Sequence, residues 1–140
     1  MAGSTTASLT IVPLACAIGV SFAQAGMTQA EVDAARERID AEYRVEKTLC
    51  DEQLTDLAQT ICVVEARGRQ KIADARLEHR RRGGGADGAR LLERARIEAE
   101  HDTAIARCDD FTSARRDECL SEAEAAKARA EARVNSTSAR

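Results

Sequence analysis

Tryptophan is absent from this chain, and aromatic side chains of any kind make up 2% of it. Large rings usually supply much of a domain's buried area, so a core of ordinary depth is not expected. Proline is nearly absent too: Pro13 stands alone, and from residue 26 onward only glycine can interrupt a helix. Nor is either half strongly charged in one sense. Residues 26–82 hold 11 basic and 12 acidic side chains, and residues 83–140 hold 10 and 12, so neither half is a basic footprint for nucleic acid. No close Cys-x-x-Cys pair, serine nucleophile elbow or phosphate loop following a strand is present. The sequence therefore nominates no catalytic residue, no cofactor-binding residue and no cofactor.

Charge is missing altogether from residues 1–25. Within them "SLTIVPLACAIGVSF", Ser8 to Phe22, has the length of a signal-peptide core and is short for a membrane-spanning helix. "AQA" follows, with Ala23 and Ala25 supplying the small side chains that signal peptidase requires three residues and one residue before the cut. The expected mature chain starts at Gly26. The leader departs from pattern in having no Lys or Arg before its apolar run. Cys16 lies in "PLAC", where Pro13 replaces the leucine a lipidation box needs, so Cys16 is expected to leave with the leader. These features predict a periplasmic or secreted protein that touches membrane only through its leader before cleavage.

What remains carries four cysteines, Cys50, Cys62, Cys108 and Cys119. In an oxidising compartment an even count favours disulfides. Their surroundings repeat. "AEYRVEKTLCDE" from Ala41 aligns with "AEHDTAIARCDD" from Ala99 at an offset of 58, and "CVVEA" from Cys62 aligns with "CLSEA" from Cys119 at 57. The chain is thus a duplication that has lost one residue between the cysteines of its second unit.

Ala, Glu, Arg, Leu and Lys dominate each unit, which predicts helices. Val32, Ala35, Ile39, Tyr43 and Cys50 share one face, and Ile61, Val64, Gly68, Ile72 and Ala75 share another. The second unit carries a thinner stripe of Leu92, Ala95, Ala99 and Ala106, then Leu120, Ala123 and Ala130. The predicted fold is all-α: two tandem antiparallel helical hairpins over 26–82 and 89–134, a glycine-rich hinge at 83–88 and a disordered tail at 135–140. "RRR", Arg80 to Arg82, reads as cations ending a helix before glycine. Thr112 and Ser113 are candidate N-caps for the final helix, and His79 and His101 read as solvated surface residues.

In such hairpins the cysteines of each unit face one another near the turn, so Cys50–Cys62 and Cys108–Cys119 are the expected disulfides, with cross-pairing between units as the rival. Four-thiolate zinc is disfavoured, since zinc knuckles usually place about two to four residues between ligands. No metal is expected.

"AEHDTAIARCDDFTSARRDECLSEAEAAKARAEAR", from Ala99, resembles the repeated unit of exported Ala-, Glu- and Arg-rich helical proteins of Burkholderia-like and Ralstonia-like proteobacteria. The specific positions are Cys50, Cys62, Glu65, Ala66, Cys108, Cys119, Glu122 and Ala123. Such proteins are sometimes labelled TolA-like, a label that implies a role in the cell envelope. The expected function is a non-catalytic structural or protein-interaction module, partnered by another protein or by self-association through helical faces. The alternative is a small thiol- or metal-handling protein.

Overall fold

The computed structural model describes residues 26–137, which form four helices: α1 Gln29–Gln53, α2 Asp56–Arg81, α3 Ala86–Cys108 and α4 Ser113–Thr137. The leader, with Ala23 and Ala25 before the expected cut, lies outside the described residues. All-α tandem hairpins are what the chain forms, each stapled by a disulfide near its turn.

Local chemistry sets the helix ends. Thr28 caps α1 in a reciprocal box: its hydroxyl accepts from the Glu31 amide while the Glu31 carboxylate accepts from the Thr28 amide. At the end of α2 the amide of Gly84 donates to the carbonyl of His79 at 2.9 Å, and that of Gly83 donates to Arg80 at 3.0 Å. Both glycines have φ +79°, the left-handed conformation such a terminus needs. The basic end predicted for α2 is present, and Arg81 and Arg82 both donate to Glu78.

Three boundaries differ from expectation. The break between hairpins is Arg82–Gly85, because Ala86, Asp87 and Gly88 are already helical. The expected tail is helical through Thr137, since Ala-rich sequence continues the helix until polar residues accumulate. Ser113 is the first residue of α4, with φ +51°, rather than its cap; Asp56, its counterpart at an offset of 57, opens α2 with φ +55°. The two turns therefore share a backbone feature that neither sequence signals.

Successive helices run antiparallel, and among the described residues only successive helices touch: α1 on α2, α2 on α3, α3 on α4. The result is an open single layer rather than a closed bundle. Within it the pair α2 and α3, which belong to different hairpins, packs most extensively. Its closest approaches are made by small residues. A Cβ added at Gly68 would lie 2.9 Å from the Cβ of Ala99, and one at Gly88 would lie 3.0 Å from the Cα of His79. The connector read as a hinge is thus the turn of the tightest helix pair.

The apolar stripes are accordingly reassigned. Val32 and Cys50 are buried against α2 as expected, but Gly68 faces α3, and Ala99 faces α2 rather than α4. In α3 the face toward α4 carries His101 and Cys108, with Ile97 on the same side. Each central helix has two buried faces, and each outer helix has one.

Candidate functional site

The disulfide tips are the part of the chain that the sequence singled out, and both pairings are local. Cys50 bonds to Cys62 with Cα atoms 5.7 Å apart, and Cys108 to Cys119 at 5.6 Å. Cys50 and Cys108 are buried, while Cys62 and Cys119 are half-buried.

The residue after the first cysteine of each unit clamps the same tip. Asp51 accepts from Gln59 of α2 at 3.1 Å, and Asp109 accepts from Arg116 of α4 at 2.7 Å. Gln59 and Arg116 are themselves counterparts at an offset of 57. Asp51 also accepts from Lys47, and that bond, with the one from Gln59, holds its carboxyl below the usual carboxylate range. Beside the second tip the Arg115 guanidinium lies 4.9 Å from the centre of the Phe111 ring.

The Glu-Ala that follows each second cysteine divides its work. Ala66 and Ala123 are buried, at 0% and 7% exposure, where each hairpin closes. Glu65 leaves its hairpin and accepts from Arg107 of α3 at 2.9 Å. Its counterpart Glu122 is exposed on the outer side of α4. Lys71 of α2 and Asp102 of α3 form a second bridge across the same seam, at 2.8 Å.

Both histidines correct the sequence reading. His79 is half-buried against Gly88, and its Nδ1 is buried without a hydrogen-bond partner. His101 is half-buried between α3 and α4 and approaches Glu124 at 2.9 Å. Their burial comes from close helix approach, which charged neighbours in sequence do not reveal. Among the described residues no group of three or more His, Cys, Asp and Glu side chains is placed to hold a metal ion.

A solvent-open groove of about 690 Å³ runs over α2 between α1 and α3, lined by Arg36, Asp40, Lys71, Asp74, Leu77 and Leu91 among others. Burial raises the Asp74 carboxyl above its usual range, and the nearby Asp40 adds to the effect. The outer helices present the other accessible surface. On α1, Val45 and Leu49 are 61% and 46% exposed, one turn apart. Among the described residues no helix is long and apolar enough to cross a membrane. No family model, curated protein or solved structure matches the chain.

Sequence reasoning missed the α2–α3 seam and the Thr28 cap. The cap had a signal, the Thr-x-x-Glu spacing of Thr28 and Glu31. The close approach in the seam had only glycine and alanine to signal it.

Proposed function

We propose that this chain is an exported, non-catalytic structural or protein-interaction module that works through its exposed helix faces. The observation that carries the reading is the open layer: among the described residues, four stapled helices leave one whole side of α1 and one of α4 without a neighbour. A chain built only for its own stability gains by closing such helices into a bundle, because that buries more apolar surface. The disulfides support the export part of the reading, since such bonds persist in oxidising compartments. The resemblance to exported Ala-, Glu- and Arg-rich helical proteins points the same way.

The test is the mass of the protein recovered from a bacterial periplasm, with and without reduction and alkylation. A chain beginning at Gly26, with all four remaining cysteines protected until reduction, is expected. Cysteines that alkylate without reductant, or a retained metal, would overturn the reading in favour of thiol or metal handling.

A further inference from the structure

The duplication provides a template for what could lie against the two outer faces. Inside the chain, α2 of the first unit docks on α3 of the second, with Gly68 opposite Ala99 and His79 opposite Gly88. By the repeat offsets, the surface of α2 that meets α3 corresponds to Glu122, Ala125, Arg129, Ala132 and Ser136 on α4. The surface of α3 that meets α2 corresponds to Ala30, Ala34, Glu37, Ala41 and Arg44 on α1. All ten residues are exposed.

Carrying the internal register across sets these surfaces against each other residue by residue. Ala125 falls on Ala41, Ala132 on Ala34 and Ser136 on Ala30, so small side chains meet at each helical repeat. Ala125 adds one methyl to what Gly68 offers, so the axes there stand slightly further apart than in the internal seam. Between these contacts Arg129 falls opposite Glu37, at the places of Ile72 and Ala95 in the internal seam. Among the described residues neither of these two side chains has an ion-pair partner within its own chain. Val45 and Leu49 extend the α1 face where the internal seam carries Thr103 and Arg107. Toward the disulfide edge the vacant face of α1 is therefore more apolar than the face that α3 buries, while Ala34 and Glu37 stand where α3 carries Leu92 and Ala95.

We propose that a second copy of this chain occupies each face, the outer side of α4 docking on the outer side of α1 of the next copy as α2 docks on α3 within the chain. The inference rests on the interaction-module reading and names its partner. Such a contact joins two different surfaces, so it leaves one free face at each end and continues into a row of chains. The internal seam becomes one period of a longer helical layer.

Sedimentation of the purified, disulfide-intact protein over a concentration series tests this. The weight-average mass is expected to rise with concentration past that of two chains. Glu37→Arg and Arg129→Glu each set like charges face to face, and each is expected to weaken association about tenfold or more. Both sites are exposed, so circular dichroism of the variants should match that of the parent. Mixing the two variants in equal amounts restores opposite charges at every junction, and the mass should recover. A mass fixed at one chain at every concentration would overturn the proposal. So would assembly that stops at two chains, or a mixture that fails to recover. Intact mass on the same samples reports the two disulfides, so failure of self-assembly is distinguishable from failure of the module reading.

Discussion

Replacing Gly68 by alanine sets two effects against each other whose sizes can be worked out. Alanine in a helix interior is favoured over glycine by about 1 kcal/mol. The new Cβ, however, would stand 2.9 Å from the Cβ of Ala99, closer than real Cβ atoms come, and neither carbon can move without its backbone. Forcing a methyl into packed surroundings costs about 1–3 kcal/mol. Gly68→Ala is therefore expected to lower stability by about 1 kcal/mol net, a fall in Tm of about 4 °C for a domain of this size. The diagnostic step is a double-mutant cycle with Ala99→Gly. On its own Ala99→Gly gives up about 1 kcal/mol of helix preference. Combined, the two substitutions move one methyl from α3 to α2 and remove the clash. A favourable coupling of about 1–2 kcal/mol is expected. Urea melts of the four proteins measure it. A Gly68→Ala protein more stable than its parent, with no coupling to Ala99→Gly, would refute the close approach of α2 and α3.

Three further outcomes are expected. Replacing Cys50 and Cys62 together by serine, or Cys108 and Cys119, should cost about 3 kcal/mol per pair from loop-closure entropy, read as a lower urea midpoint than that of the oxidised parent. Glu78, held to a pKa of about 2 by hydrogen bonds from Arg81 and Arg82, stays ionised in the folded chain far below its ordinary 4.5. Its stabilisation is complete above the unfolded value and is lost as pH falls from about 4.5 through about 2, so stability should fall less steeply across that window in Glu78→Gln. Thr28→Ala removes the hydroxyl that caps α1 and should cost about 1 kcal/mol, with amide exchange rising first at Glu31 and Val32.

The helices and their staples were legible because their signals are local. Runs of Ala, Glu and Arg without proline, and cysteines on either side of a short break, point to a hairpin without reference to anything distant. The seam between hairpins was not legible, because Gly68, Ala99 and Gly88 act by being small. A small residue on a helix face reads as a gap until the neighbour that fills it is known. The same cause misassigned Ala99 to the interior of the second hairpin and put His79 and His101 in solvent. Charge pairing was hidden differently: Glu65 and Glu122 occupy equivalent places in the repeat, yet only Glu65 has the next unit beside it to supply Arg107.

Alternation of helix direction puts both disulfides at one edge of the layer and gathers the glycine turn, the start of α1 and the end of α4 at the other. Pulling on the two ends of the folded chain would therefore open it like two zips, α1 leaving α2 and α4 leaving α3 from the glycine edge. Each zip stops at its disulfide. The loops closed by the cysteines, with sequence separations of 12 and 11, stay out of reach of the load. Oxidised and reduced chains would differ in fully drawn length by roughly 70 Å, taking about 3.4 Å for each extended residue. The cysteines thus set a mechanical stop, so the redox state of the surroundings determines how far the protein can stretch.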